Sequence, residues 1–534
     1  MGFPCESLRE GPRRNAKNQR LMLIKPPLYT DLAFSPIRSA QPIGIWQLGS
    51  YLRSRGFETA ILDCVIEGWE NKTYHKDGAP FDYPATMRRK TSMLLSEGPD
   101  AILRSFPVRS ADGQILRTLI RTGLEEEKII DRVKAFDPGW IGISIIATSE
   151  HRGAMDLARR LRSEFPEAII IAGGQHATDM PLAVLCDRTI DFVAKGSGES
   201  IMERLMHGQM PDRGLAYLKD GQLVEQADAP ITPPEALPLL DPSLLSHVHY
   251  PLPATHSYQT SGRRYTDFML SFGCHKGCDF CRQGLVRDGY RHLSMEKLEA
   301  QLKLFKEHGI EELVLQDDSL LGGPSNDGKD FFLQAAKLIK SYGFYWHDNG
   351  GVEFERLDSG VVDSLLRLND GFGEARCTAF YVPFNPRHLV QTRVVEKHMR
   401  DLPDKIMLLK RLKENGIYTF TSGIWGHVRQ DIADMESDIR GYEGLLTSGV
   451  IDQAIVFSLS YLPRTKDWDF RRYIADMGDW EGFSIFVPHA GTANASFFEV
   501  QHMVLEAYMR LNRLQPHVEP WASGFPPHVP PGWK

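Results

Sequence analysis

Three of the chain's cysteines, Cys274, Cys278 and Cys281, stand close together in the stretch SFGCHKGCDFCRQG, residues 271–284. The 534-residue chain holds only seven in all, the others being Cys5, Cys64, Cys186 and Cys377. Thiolates are soft ligands for zinc, copper(I) or iron–sulfur clusters. A structural zinc site asks for four protein ligands, and C-x3-C-x2-C supplies three. His275 is a poor fourth, because it adjoins Cys274 and its ring would have to fold back. Three ligands on a four-iron cluster would leave one iron open to a substrate or cofactor. An aromatic, Phe280, directly precedes the last cysteine and makes the pattern more specific. The plainer alternatives are a chance cluster or a zinc knuckle.

Something must position these thiols. YTDFMLSFG (265–273) reads as a strand and SMEKLEAQLKLFKEHG (294–309) as a helix. The cysteines therefore fall in the loop after a strand, the face on which barrel active sites lie. Strand-like runs recur at 310–319, 344–354, 375–384, 417–426 and 451–462, with helical runs at 329–343, 357–371 and 394–416. That is a full or partial (β/α)6 TIM-like barrel over 263–463. Residues 464–534 read as a small helical C-terminal region with a Pro-rich end.

Ahead of the barrel, strand-like runs at 20–29, 57–64, 140–148, 167–174 and 191–200 alternate with helical runs. Such alternation implies a parallel sheet covered on both faces. Residues 18–215 are thus an α/β, doubly wound (Rossmann-like) domain, with a weakly periodic insertion at 65–128. Residues 216–262 read as a Pro-rich linker, an extended tether. Open α/β sheets bind ligands beyond the carboxyl ends of their strands. The loops so placed are 26–44, then 148–150 with Thr148 and Ser149, then GGQHAT (173–178) with Gly173, Gly174 and His176. The last is GSGES (196–200) with Gly196, Gly198 and Glu199. Neither G-x-G-x-x-G nor a P-loop follows the first strand.

Composition sets the surroundings. Apolar content of 42% and charged content of 25% are those of a soluble globular protein. A net charge of −7 gives no reason to expect nucleic acid or an anionic membrane as partner. No apolar run approaches the roughly 20 residues of a membrane helix, and the N-terminal stretch lacks the apolar core of a secretory signal. Seven cysteines in so long a chain do not make a disulfide framework. The expected setting is the reducing cytoplasm.

The cysteine spacing, on the strand-to-loop position that opens a six-unit barrel, resembles the radical S-adenosylmethionine (SAM) superfamily. The resemblance implies a [4Fe–4S] cluster held by Cys274, Cys278 and Cys281, with Phe280 beside it, whose open iron chelates SAM. It also implies a flavodoxin or ferredoxin-type electron donor and cleavage of SAM to a 5′-deoxyadenosyl radical. The family's second barrel strand ends in a motif that contacts the methionine amino group; LQDDS puts Asp317 and Asp318 there. GGQHAT followed by DFVAKGSGE is similar to the cobalamin-binding domains fused to such barrels, and this likeness covers nearly the whole chain. It implies cobalamin lying across Thr148, Ser149, Gly173, Gly174, His176, Gly196, Gly198 and Glu199. Many cobalamin domains carry D-x-H-x-x-G, whose His ligates cobalt; the motif is absent here. Aligning Gly44 with its Gly puts Gln41 at the His position and Ser39 at the Asp position. Base-off cobalamin without a His ligand, with Gln41 near the lower face of the cobalt, is the expectation.

The implied activity is that of a cobalamin-dependent radical SAM methyltransferase, moving a methyl group to an unactivated carbon or phosphorus centre of a small-molecule intermediate. One alternative is oxidative cyclisation or ring rearrangement with the same cofactors. Another, of a different class, is a non-catalytic cobalamin or cluster sensor, which needs no SAM site. Catalytic residues are not assigned. Tyr381, Trp425, His427 and Arg429 lie at strand ends as lining candidates, and residues 483–492 are placed to close over the barrel mouth.

Overall fold

A computed structural model describes residues 16–31, 40–68, 73–75, 89, 92–93, 96–105, 119–246, 248, 250, 263–282, 289–323, 327–370, 376–386 and 402–515. Apolar runs make the buried strands of the first sheet, and a more polar hairpin extends its edge. In chain order they are β1 (Leu21–Lys25), β2 (Thr59–Asp63), β3 (Trp140–Ser144), β4 (Ile169–Gly173), β5 (Phe192–Ala194), β6 (Leu215–Lys219) and β7 (Gln222–Glu225). Their spatial order is β7-β6-β5-β4-β3-β1-β2. The first five strands run parallel, and β6 and β7 add an antiparallel hairpin at one edge. The chain winds outward from β1 to β2 on one side and through β3, β4 and β5 on the other. The crevice at the carboxyl ends of β1 and β3 is therefore the topological switch point, where such sheets bind ligands.

Helices α1 (Ile43–Ser54), α2 (Glu126–Phe136), α3 (His151–Glu164) and α4 (Gly198–Met206) cover the two faces. Met22, Ile24, Ile141, Ile143 and Ile170 pack against α2 and α3. Leu21, Leu23, Ile169 and Ile171 point the other way, because strand side chains alternate, and join α1 and α4. This second core runs on into the barrel, where the Trp46 and Phe305 ring centroids are 6.3 Å apart. Part of the 65–128 region forms a separate antiparallel sheet of residues 28–31, 119–122 and 73–75.

The boundary expected at 215 falls inside the first sheet, since β6 and β7 belong to it. The segment that follows is docked rather than free. Trp46 Nε1 donates to Asp241 O at 2.7 Å, and Asp241 N donates to Ser50 Oγ at 3.0 Å. The Gln301 side chain pairs both backbone groups of Leu240, at 2.7 and 3.1 Å. Proline-rich backbone cannot join a ladder, but its remaining polar groups still need partners when buried. Side chains from both flanking helices supply them.

The barrel strands are β8 (Tyr265–Phe268), β9 (Glu312–Leu315), β10 (Tyr345–Asp348), β11 (Cys377–Tyr381), β12 (Tyr418–Trp425) and β13 (Gln453–Ser458). All six are parallel and neighbour one another in sequence order. Among the described residues β8 and β13 do not pair, so the barrel is partial. Helices α5 (Met295–Glu307), α6 (Asp327–Ser341), α7 (Ser359–Asn369), α8 (Leu402–Glu414) and α9 (Ile432–Thr447) complete the units. Ala379, Tyr381, Phe420, Ile455 and Phe457 fill part of the interior, with the Tyr381 and Phe420 rings stacked at 4.7 Å.

The C-terminal region is a layer on the barrel rather than a separate body. Arg510 of α10 (Phe497–Arg513) pairs with Glu436 and Glu443 of α9. Residues 483–492 pack against the carboxyl end of β13. Ser458 N donates to Ile485 O at 2.7 Å, and the Phe486 ring meets Phe457 edge-on at 5.6 Å.

Candidate functional site

β8 leads into the cysteine loop. Gly273 (φ +85°) and Gly277 (φ +60°) take left-handed backbone, which glycine adopts without a Cβ penalty. Cys274, Cys278 and Cys281 are half-buried and form no disulfide. Burial pushes the Cys278 thiol up to about 11 and raises Cys274 as well. Such thiols ionise when a cation binds them. Among the described residues no group of three His, Cys, Asp or Glu side chains converges where a single metal ion would sit.

The two aspartates at the end of β9 brace this loop. Asp317 accepts from Leu270 N at 3.2 Å and from Ser271 N and Oγ, each at 2.6 Å. Asp318 accepts from Gly273 N at 2.7 Å. Burial lifts the Asp317 carboxyl to about 7. His275 is not placed as a cluster ligand; its ring lies 3.2 Å from Arg356 Nη2 and 3.7 Å from Glu353. Phe280 meets the His427 ring edge-on at 5.5 Å. His427 Nε2 is buried without a hydrogen-bond partner, and burial pulls that imidazole down to about 3.

Beside the loop, the switch point of the first sheet opens into a cavity of about 620 Å³. Gln41, Gly173, Gly174, Gly196, Gly198 and Glu199 stand in its wall, as the strand-end reasoning places them. A Cβ on Gly44, also in the wall, would meet nothing within 4 Å. The opposite wall belongs to the 231–240 segment and to the barrel, with Asp267, Met269, Phe272, Lys297 and Gln316. Glu199 joins two walls, accepting from Ser197 Oγ at 2.6 Å and Thr232 Oγ1 at 3.3 Å.

Thr148, Ser149 and His176 do not line the cavity. His176 is 1% exposed, with Nε2 at 2.9 Å from His151 Nδ1 and Nδ1 at 3.2 Å from Thr148 Oγ1. Trp480, from the C-terminal segment, stacks on His151 at 4.1 Å and meets His176 edge-on. Burial holds the His176 imidazole down at about 3 and His151 at about 4. The short helix Gln175–Asp179 carries the His176 ring into this aromatic packing instead of toward the cavity.

Of the mouth candidates, Tyr381 points inside the barrel and hydrogen-bonds Ser422 Oγ. Trp425 corrects its expected place: it is fully buried in the helix-packed core, because alternation along β12 turns it outward. Arg429 is exposed beyond β12. Sequence reasoning passed over Ile146, half exposed in the loop after β3, while Thr178, the last residue of GGQHAT, does stand in the wall. It also passed over the 231–240 wall and Lys297, which carry no local signal because the partner domain makes them part of the wall. Gln41 lies in the wall at the domain junction, while Ser39 lies outside the described residues.

Residues 102–206 match the model of the B12 binding domain family. Cytidylyl-2-hydroxyethylphosphonate methyltransferase of Streptomyces wedmorensis is 26% identical over 67% of this chain and 64% of its own length. The cobalamin-dependent radical SAM methyltransferase TokK of Streptomyces tokunonensis is 22% identical over 42% of this chain and 37% of its own. The chain therefore spans less than two thirds of either curated relative. The solved structure of TsrM from Kitasatospora setae, a radical S-adenosylmethionine methyltransferase, superposes with a TM-score of 0.53 at 14% identity. That superposition covers 84% of this chain and 75% of TsrM, and it shows a shared fold.

Proposed function

We propose that this chain, a member of the cobalamin-dependent radical SAM enzymes, transfers a methyl group to an unactivated carbon or phosphorus centre of a small molecule. One observation carries the reading: a single cavity is walled both by the carboxyl ends of the first sheet and by the start of the cysteine loop, through Met269 and Phe272. Two cofactor sites that open on each other suit a reaction in which both act on one substrate.

The residues fit the cofactors. The cavity is roomy, is rimmed by glycines, and at Gly44 would take a Cβ with nothing in reach, which suits a large ring lying against backbone. The three half-buried thiols, none in a disulfide, are the soft donors an iron–sulfur cluster takes. When bound, these groups would supply the transferable methyl and the radical that activates the substrate.

In this reading Cys274, Cys278 and Cys281 hold the cluster, and Asp317 and Asp318 hold its loop and border SAM. Cobalamin binds base-off against Gln41, Gly173, Gly174, Gly196, Gly198 and Glu199. Phe457, Phe486 and the 483–492 segment keep water from the barrel mouth. A flavodoxin or ferredoxin-type donor supplies electrons, and the cytoplasm is the setting. The relatives' methyltransferase names favour this activity over cyclisation or rearrangement.

The test is anaerobic reconstitution with iron, sulfide, cobalamin, SAM and reductant, scored by mass spectrometry against small-molecule substrates. Methyl transfer should release S-adenosylhomocysteine together with 5′-deoxyadenosine. With a turned-over substrate in hand, 5′-deoxyadenosine alone would replace this reading with cyclisation or rearrangement.

A further inference from the structure

Arg282 directly follows the last cysteine of the loop, yet it is 3% exposed. Its guanidinium forks onto Asp179, with Nε donating to Oδ2 at 2.7 Å and Nη2 donating to Oδ1. The two side chains are 2% and 6% exposed. Asp179 ends the helix after β4, next to Thr178 in the cavity wall. Thr178 Oγ1 accepts from Gly196 N at 3.2 Å and donates to Gly174 O at 2.9 Å, so it links the loops after β4 and β5.

The C-terminal segment completes the chain of charges. Arg464 reaches Asp179 at 3.6 Å and Asp228 at 2.8 Å. Asp228 also meets Lys195 at 3.0 Å, and Lys195 adjoins Gly196 of the wall. A continuous run of opposite charges thus leads from the cysteine loop to two loops of the cavity.

Buried ion pairs are a poor source of net stability, because desolvation offsets their attraction; their better-attested use is to fix one arrangement over others. An arginine fork on a carboxylate fixes direction as well as distance. Asp317 and Asp318 brace the start of the cysteine loop, and the fork anchors its far end, beyond the left-handed Gly277.

We propose that Arg282 is a positioning residue whose fork onto Asp179 sets the cysteine loop over the cavity, so that occupancy of the cluster site and of the cobalamin site favour each other. The proposal rests on the cofactor reading above. Linkage makes the effect reciprocal: if the cluster tightens cobalamin, cobalamin must tighten the cluster by the same factor.

The experiment titrates hydroxocobalamin by visible absorbance into the full chain, once with the cluster reconstituted and once after removal of iron. Wild-type protein that takes up no iron or no cobalamin would overturn the cofactor reading itself, separately from this proposal. With both bound, the cluster should tighten cobalamin at least about fivefold, the lower end of usual couplings. In Arg282→Gln that ratio should fall to about one while each cofactor still binds alone. Arg282→Lys keeps the charge without the fork and should retain part of the ratio. The paired exchange Arg282→Asp with Asp179→Arg should restore it above either single variant. Electron paramagnetic resonance supplies a second readout: cobalamin should shift the reduced-cluster signal in wild type and leave it unmoved in Arg282→Gln. A wild-type ratio of one, or an undiminished ratio in the variants, overturns the proposal. Should Arg282→Gln fail to fold, the Lys variant and the wild-type ratio decide it.

Discussion

Gln41 and Asp267 exchange hydrogen bonds across the junction of sheet and barrel. Gln41 N donates to Asp267 Oδ2 at 2.8 Å, and Asp267 N donates to Gln41 Oε1 at 2.9 Å. Thr266 Oγ1 adds a third bond to the same Oε1 at 3.0 Å. The amide oxygen, the one atom of this side chain able to ligate cobalt, is thus committed to the barrel. An amide nitrogen is not a comparable donor. Gln41 thus works as a clasp between two parts of the chain.

Gln41→Leu should therefore be costly to the fold and silent at the cobalt. It would strand the Asp267 N–H and leave the Thr266 hydroxyl only its longer bond to Asp267 O at 3.3 Å, a loss of about 1–3 kcal/mol in urea unfolding. Bound cob(II)alamin should show no nitrogen superhyperfine splitting in wild type or variant. Such splitting, or unchanged stability, would refute this account.

Asp317 gives a pH signature. Its folded carboxyl is raised to about 7, whereas an unfolded aspartate titrates near ~3.9. The folded state holds the proton more tightly, so wild-type stability falls as pH rises from about 4 to about 7, by at most about 1.4 kcal/mol per pH unit. Asp317→Asn keeps the acceptor oxygen and cannot titrate. The melting temperature of iron-free wild type, relative to this variant, should decline across that window. A constant difference would contradict the buried-carboxyl assignment.

The cluster should depend on three cysteines and no others. Cys274→Ala, Cys278→Ala and Cys281→Ala combined should abolish cluster absorbance and bring iron close to zero. Cys64 and Cys377 are 0% and 1% exposed and pack as small apolar residues. Cys64→Ala should load iron as the wild type does. Iron assay and visible spectra check both.

Cobalamin uptake should need more than the N-terminal sheet. A fragment of residues 18–215 lacks the β6–β7 edge beyond its first residue, the 231–240 wall and the barrel wall. It should bind hydroxocobalamin at least about tenfold more weakly than the full chain, a loss of only ~1.4 kcal/mol. Equal affinity by absorbance titration would mean that the missing walls contribute nothing.

Local pattern was a good guide wherever local physics decides. LMLIK, WIGIS and IIIAG could only be buried strands, and C-x3-C-x2-C could only fall in a loop after YTDF. The glycine loops after β4 and β5 reach the cavity because strand order alone sends them there. His176 shows where that reasoning ends: its surroundings are made by His151 and by Trp480, which is remote in sequence. The 216–262 segment reads as a tether because proline density describes the backbone and not what packs on it. The hydrogen bonds of Asp241 and Leu240 come from α1 and α5, which no window around them contains.

The segment that carries Arg464, Trp480 and Glu481 follows the whole barrel in sequence yet packs against the domain that precedes it. Arg464 pairs with Asp179 and Asp228, and Arg152 pairs with Glu481. A ribosome extends the chain by some 5–20 residues each second. The first sheet must therefore wait tens of seconds with the His151 face and part of its charge network uncovered. Assembly thus has a built-in order in which this charge network closes only after the whole barrel has been made. Products truncated before Arg464 would lack its pairs with Asp179 and Asp228 and would leave the His151 ring without Trp480 stacked on it.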